Sequence, residues 1–220
     1  SSSDDLADCV LIDTPEVMYD ERKRSLDEFI NEAGVAARGY RLRDRNMFSL
    51  TAEGFVGGSA SSILLALVGF GLQGMSEEVL CRGFLQTTIM RHHKPWVAIL
   101  VSALVFSLLH GTNHGVSILA LVNLTLCGAM FSLYMLRTDN LWGACAIHSI
   151  WNFVQGNFYG LPVSGINSGD SLFRFSLVEG NALANGGDFG LEGGIPCTIV
   201  LTIVILVLIF VPFGKSTAKE

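Results

Sequence analysis

The protein has 220 residues, of which 50% are hydrophobic and 15% are charged, and its formal net charge is −6. Soluble domains carry about 25% charged residues, so this composition and a mean hydropathy of +0.48 indicate a membrane protein. The lack of a basic surplus argues against a protein that binds nucleic acid. Five cysteines without a CxxC pair argue against a disulfide framework or a cysteine-rich zinc site.

The charged residues are concentrated at the N-terminus. Residues 1–53 contain 19 of them, whereas the much longer stretch 54–214 contains only 12. We therefore predict a charged, cytoplasmic N-terminal segment at 1–53, a membrane-embedded core at 54–214 and a short basic tail at 215–220. Residues 20–37 are compatible with an amphipathic helix, although a solvated or disordered tail is the simpler interpretation. The chain starts at Ser1 rather than at Met, which is compatible with further spans upstream.

Windows of low charge predict six helical segments, denoted A to F. They cover residues 54–75, 76–91, 95–110, 115–136, 141–159 and 195–213. Segment F has no polar stripe, which a helix on the surface of a soluble protein needs. The predicted fold class is therefore all-α: a polytopic bundle of membrane helices with an intramembrane polar site. Residues 160–194, rich in Gly, Asn and Ser, are predicted to form a long polar loop.

Basic residues near the segment ends predict the orientation. They lie before A, between B and C, between D and E, and after F: Arg41, Arg43, Arg45, Arg91, Lys94, Arg137, Lys215 and Lys219. If the chain crosses the membrane at each segment, all of these residues fall on one side, which the positive-inside rule makes the cytoplasmic side. The net-acidic 160–194 loop then falls on the other side.

Segment B begins with an acidic pair. A charge in the bilayer core is costly, so an ionisable residue there needs a reason. Glu78 and Arg82 are four residues apart, in the order that favours an ion pair. Glu77 lies about 100° away from Glu78 around the helix, and is left without that partner. The simpler interpretation of these three residues is helix capping and dipole compensation.

Three further polar residues lie in segments C and E. His110 follows Phe106 by one turn, and His148 precedes Asn152 by one turn. Counted from the basic turns at about 1.5 Å per residue, Glu77, His110, His148 and Asn152 lie within about two helical turns of one another in depth. We therefore predict one intramembrane site. A partly desolvated carboxylate suits a general base acting on water, and His and Asn suit an oxyanion.

Taken together, these residues resemble the motifs of a known family. Glu77 to Arg82 read EExxxR, Phe106 to His110 read FxxxH, and His148 to Asn152 read HxxxN. Their order and spacing resemble the CPBP intramembrane proteases, also called the type II CAAX prenyl endopeptidases or the CAAX amino-terminal protease and bacteriocin-processing family. The resemblance covers roughly residues 54–213, and the region from 151 onward is most similar to the bacterial branch.

The resemblance implies an all-helical membrane endopeptidase, a hydrolase. By motif position, Glu77 is the base that activates water and His110 is its partner. His148 and Asn152 stabilise the oxyanion. Glu78 and Arg82 support the site. No motif position is substituted, so the resemblance implies an active enzyme.

Members of this family are often labelled metalloproteases. Glu77, His110 and His148 could form a His₂Glu zinc set, but no HExxH pair is present. We therefore favour a metal-independent glutamate mechanism without a cofactor, and zinc is the alternative.

The resemblance implies an integral, multi-pass protein of the bacterial cytoplasmic membrane. Its partners are membrane lipids and a membrane-associated peptide or protein substrate, prenylated or not. CAAX-type processing, maturation of peptide signals or bacteriocins, and self-immunity are all compatible. Two other functions stay open: a non-catalytic membrane scaffold or immunity protein, and a transporter or proton relay, although no inverted repeat is evident. The oligomeric state is open.

Overall fold

The structure is a computed structural model that describes residues 50–212. The possible helix at 20–37, the tail at 215–220 and the basic residues of both ends lie outside the described residues. Five long helices form the described part: α1 (Ala60–Met90), α2 (Pro95–Leu109), α3 (Ile118–Thr138), α4 (Leu141–Phe153) and α6 (Ile195–Phe210). The predicted all-α class is confirmed, and the remaining elements are short.

The region between α4 and α6 is more ordered than the predicted polar loop. It contains the strand β2 (Phe173–Leu177), the short helix α5 (Ala182–Asn185) and two 3₁₀ turns, Gly187–Phe189 and Leu191–Gly193. β2 pairs antiparallel with β1 (Leu50–Phe55), which lies just before α1. β1 thus crosses the predicted boundary between residues 53 and 54.

Segments A and B form one helix, not two. α1 continues without interruption through an α-helical part at Ala60–Glu78, a π-helical part at Val79–Gln86 and a last turn at Thr87–Met90. The prediction of two separate segments here is wrong, because charged side chains that are buried against other helices do not interrupt a helix. Segments C, D, E and F agree with α2, α3, α4 and α6 within a few residues.

The continuity of α1 changes the orientation argument. Arg91 and Lys94 lie between α1 and α2, and the Arg137 guanidinium at the end of α3 donates to the carbonyl of Val211 after α6. These basic residues therefore share one end of the bundle, the basic end. The pairing of β1 with β2 places the start of α1 at the opposite end, the loop end. Residues 1–53 and Arg91 were placed on the same side because two crossings were expected between them. Since one continuous helix lies between them, the cytoplasmic placement of residues 1–53 stays a prediction that the position of Arg91 no longer supports.

The outer surface of the bundle is apolar. α1 and α3 are long and apolar enough to cross a membrane, and α2 and α6 are apolar but shorter. Leu65 is 73% exposed, and Leu108 and Phe210 are as exposed. Large exposed apolar surfaces of this kind mark contact with a membrane or a partner. We therefore infer that lipid covers these faces.

Small residues allow the helices to approach closely. A Cβ atom on Gly74 of α1 would lie 2.7 Å from Ser149 Oγ and 2.9 Å from Ser149 N, both in α4. A Cβ on Gly128 of α3 would lie 2.8 Å from Ala103 Cα of α2. Small residues at membrane helix interfaces let backbones pack directly. These two contacts hold α1 against α4, and α2 against α3.

Substitution of Gly74 tests the α1–α4 contact. We expect Gly74→Ala to destabilise the protein by about 1–3 kcal/mol, because the added methyl group overpacks against the Ser149 backbone. Gly69→Ala is the matched control on the same helix, since nothing lies within 4 Å of a Cβ there. Thermal unfolding in detergent micelles measures both. Equal midpoints for the two variants would contradict this packing.

Candidate active site

The Glu77 carboxylate and two imidazole rings face one another inside the bundle. Glu77 Oε2 is 3.7 Å from His110 Nε2 and 3.8 Å from His148 Nε2. This oxygen is buried and makes no hydrogen bond within the protein. Both separations exceed a direct hydrogen bond, and each is a distance that one bridging water could span. The structure thus brings together three of the residues that the sequence predicted in one site.

The second nitrogen of each ring has a fixed partner. His110 Nδ1 lies 2.9 Å from the Phe106 carbonyl oxygen, which can only accept, so Nδ1 carries the proton. His148 Nδ1 lies 2.8 Å from Glu78 Oε1, which is again an acceptor. In the neutral rings the lone pairs are therefore on Nε2, directed toward Glu77.

Glu78 is the hub of the buried charges. Its Oε1 accepts from Arg82 Nη1 at 3.0 Å and from His148 Nδ1 at 2.8 Å, and the side chains of Glu78 and Arg82 are both 0% exposed. The predicted Glu78–Arg82 pair is present. The hydrogen bond between Glu78 and His148 of α4 was not predicted, because two residues so far apart in the sequence show no recognisable spacing.

Aromatic rings hold the charged groups in place. Arg82 Cζ lies 4.4 Å above the ring of Phe106 and 5.5 Å above that of Phe131. Phe131 also stacks on the His148 ring, with centroids 5.3 Å apart. Contacts of a cation with ring faces strengthen where water is excluded. The guanidinium and the imidazole are therefore fixed by packing as well as by hydrogen bonds.

Two of the helices that carry the predicted site residues, α1 and α4, become π-helical just after them. The π-helical part of α1 starts at Val79, immediately after Glu78, and the one that extends α4 covers Val154–Phe158, after Asn152. Such widened turns are rare and occur frequently at functional sites. The Ser102 hydroxyl of α2 donates to the Cys81 carbonyl in the first of them. The wider turn thus receives support from a neighbouring helix.

A cavity of about 300 Å³ opens on these residues. Its wall includes His110, His148 and Asn152, and Asn152 is 3% exposed. The rest of the lining comes mainly from apolar side chains of α3, α4 and α6. Asn152 lies one turn beyond His148 on the same helix face, as predicted, so its amide and the His148 ring share the cavity.

The zinc alternative requires Glu77, His110 and His148 to surround one metal ion. Tetrahedral zinc holds such ligands at about 2.0–2.1 Å, which places neighbouring ligand atoms roughly 3.4 Å apart. The observed separations are longer, and no three His, Cys, Asp or Glu side chains among residues 50–212 form a group that could hold a metal ion. The metalloprotease label thus gains no support from this geometry.

The sequence analysis missed two carboxylate contacts. Gln73 Nε2 donates to Glu77 Oε1 at 3.0 Å, which leaves Oε2 to face the histidines. The signal was available, because Gln73 precedes Glu77 by one helical turn. Glu192 also lines the cavity and accepts from Trp151 Nε1 at 3.0 Å. No sequence pattern connects residues 151 and 192. A further histidine, His114, lies in the turn after α2. Its side chain is exposed, and its Nε2 is 3.7 Å from Asp188 Oδ2.

The comparison with protein families identifies the core of this bundle. Residues 59–154, somewhat under half of the chain, match the family model described as type II CAAX prenyl endopeptidase Rce1-like. This stretch is an Rce1-like domain. No curated protein and no solved structure matches the chain. The resemblance to the CAAX endopeptidases carried by the three motifs is therefore confirmed.

All the predicted site residues lie inside the Rce1-like domain, from Glu77 to Asn152. The match supports a membrane-embedded protease of the CAAX endopeptidase kind, which acts on membrane-associated proteins. β2, α5, α6 and Glu192 lie outside the matched stretch. The loop-end wall of the cavity is therefore formed by residues that the family match does not cover.

Removal of one partner of the buried ion pair tests its energetic role. We expect Arg82→Met to cost about 3–5 kcal/mol of unfolding free energy, because it leaves the Glu78 charge unpaired and buried. The double variant Glu78→Gln/Arg82→Met should recover part of that loss. Arg91→Met, at an exposed position, is the control and should have little effect. Thermal unfolding in micelles measures all three, and an Arg82→Met protein as stable as Arg91→Met would contradict this assignment.

Proposed function

We propose that the protein is an intramembrane endopeptidase that hydrolyses peptide bonds with a water activated by Glu77. One observation carries the proposal: Glu77 Oε2 faces both His110 Nε2 and His148 Nε2 at distances that a bridging water could span, and the two histidines line a cavity. The family match supports the same reaction.

The two nitrogens of His148 face different groups. Nδ1 donates to Glu78 Oε1, and Nε2 faces Glu77 Oε2 on a ring that lines the cavity. The proton that stabilises the oxyanion is carried on His148 Nε2 in this proposal.

The reaction follows from these positions. Glu77 Oε2 takes a proton from water, and the hydroxide oxygen attacks the carbonyl carbon of the substrate. His148 Nε2–H and the Asn152 amide donate to the oxyanion that forms. The C–N bond then breaks, and the proton held by Glu77 passes to the leaving nitrogen. His110, held by the Phe106 carbonyl, orients the water.

We further propose the setting of this activity. The protein is a multi-pass protein of the bacterial cytoplasmic membrane, and its substrate is a membrane-associated protein or peptide. CAAX-type processing, maturation of peptide signals or bacteriocins, and immunity are compatible uses of one hydrolytic site. If the protein is instead a non-catalytic scaffold, its function should survive a substitution that removes the Glu77 charge.

Glu77→Gln tests the proposed base. We expect kcat to fall by about 10²- to 10⁴-fold, because the amide cannot take a proton from water. The measurement is cleavage of a farnesylated CAAX reporter peptide by the full chain in proteoliposomes. Glu179→Gln, in the exposed loop, is the matched control and should retain activity. Cleavage at the wild-type rate by a folded Glu77→Gln protein would reject the proposal.

Metal analysis tests the preference for a mechanism without a cofactor. We expect the purified protein to contain less than stoichiometric zinc and to retain its activity after treatment with a chelator. The physical reason is that the His110, His148 and Glu77 atoms are spaced for a shared water and not for a common metal ion. Stoichiometric zinc whose removal abolishes cleavage would defeat this preference.

A further inference from the structure

The active-site cavity adjoins a second cavity through the space between α4 and α6. Within residues 50–212, α4 packs mainly on α1 and α6 mainly on α3, and α4 and α6 share no extensive contact. The second cavity is apolar and lies on the other side of the same wall. Four side chains line both cavities: Ile147, Trp151, Cys197 and Val200. The seam between α4 and α6 is therefore a thin, mostly apolar partition.

One hydrogen bond crosses this seam at the loop end. Trp151 of α4 donates from Nε1 to Glu192 Oε1 at 3.0 Å, and Glu192 lies in the turn directly before α6. The Trp151 side chain is large, and the residue is 45% exposed. It also precedes Asn152, which lines the active-site cavity. The position of one indole ring thus determines how wide the seam is next to the site.

The same carboxylate holds a strained residue of the loop. Glu192 Oε2 accepts from the backbone nitrogen of Ser164 at 2.8 Å and from its hydroxyl at 2.6 Å. Ser164 has a φ of 47°, a left-handed conformation that is unusual for a residue other than glycine. Strained backbone of this kind persists only when its surroundings fix it, and it clusters at clamps and switches. Glu192 fixes it together with Asn113, whose Nδ2 donates to the Ser164 carbonyl oxygen at 2.9 Å.

The backbone at Glu192 is anchored separately from its side chain. Asn123 of α3 donates from Nδ2 to the carbonyl oxygens of Glu192, at 2.7 Å, and of Gly194, at 2.9 Å. Its Oδ1 accepts from the Thr198 hydroxyl of α6. Removal of the Glu192 carboxylate therefore leaves the start of α6 attached to α3. The side chain's role can be tested without loss of this anchor.

We propose that the seam between α4 and α6 is a lateral substrate entrance, with Trp151 as its specificity-determining residue and Glu192 as the positioning residue that holds it. Movement of the indole joins the two cavities and admits the apolar part of a membrane-embedded substrate from the lipid side. The inference rests on the proposed peptidase function for its substrate, but the movable indole can be measured without activity.

The first test measures the position of Trp151. The chain has three tryptophans, so Trp96→Phe/Trp142→Phe leaves Trp151 as the only one. In liposomes with brominated phosphatidylcholine, we expect Glu192→Ala to increase the quenched fraction of Trp151 emission, because the released indole reaches the lipid. Glu179→Ala is the matched control and should leave the quenching unchanged. Equal quenching in the Glu192→Ala and Glu179→Ala proteins would overturn the gate.

The second test measures selectivity. Two reporter peptides of identical sequence carry a farnesyl or the longer geranylgeranyl chain. We expect Glu192→Ala and Trp151→Phe to raise the kcat/KM ratio of the longer to the shorter substrate by about tenfold, the order of effect that pocket size has on apolar groups, mainly through KM. An equal loss of kcat with both substrates would indicate a merely structural role and overturn the proposal.

The two tests separate two failures. If the wild-type protein cleaves neither reporter, prenylated CAAX peptides are excluded as its substrates, and the quenching result still decides whether Glu192 holds Trp151. If cleavage occurs but neither quenching nor selectivity changes, the gate fails and the peptidase proposal stands.

Discussion

The buried Glu78 carboxylate is the interaction on which the rest of the site depends. It joins α1 to α4 by its bond to His148 and neutralises Arg82 within α1. A carboxylate in an apolar surrounding is tolerated only when its charge is compensated. The two aromatic rings beside Arg82 occupy the space that solvent would otherwise take. The position and the tautomer of His148 therefore follow from one oxygen atom.

Glu77 has the opposite character, although it is the neighbouring residue. One of its oxygens accepts from Gln73, and the other faces the histidines without a hydrogen bond. The difference comes from the helical rotation of about 100° per residue, which directs adjacent side chains to different surroundings. One acid is used for structure and the other is left available for chemistry. Two adjacent carboxylates thus have different surroundings, and the proposed reaction uses only that of Glu77.

Local spacing in the sequence predicted what lies on one helix face, and little of what joins different helices. The Glu78–Arg82 pair and the shared face of His148 and Asn152 follow from a four-residue separation. The Glu78–His148 and Trp151–Glu192 bonds do not, because they depend on which helices are neighbours. The break between segments A and B was wrong for a related reason, since charges that end an apolar window were taken to end a helix. β1 was missed because a short, glycine-containing strand has no partner until the chain has folded.

The pairing of β1 with β2 has a consequence for the order of assembly. Leu50 pairs with Leu177, so the first described element cannot complete its hydrogen bonds until four long helices have been synthesised after it. Contacts between residues so distant along the chain form late, since their loop-closure entropy is compensated only once the intervening helices have packed. During synthesis, β1 therefore stays unpaired until β2 has been made. We therefore expect the two-stranded sheet to form after α1 and α4 have packed together and brought Glu78 next to His148.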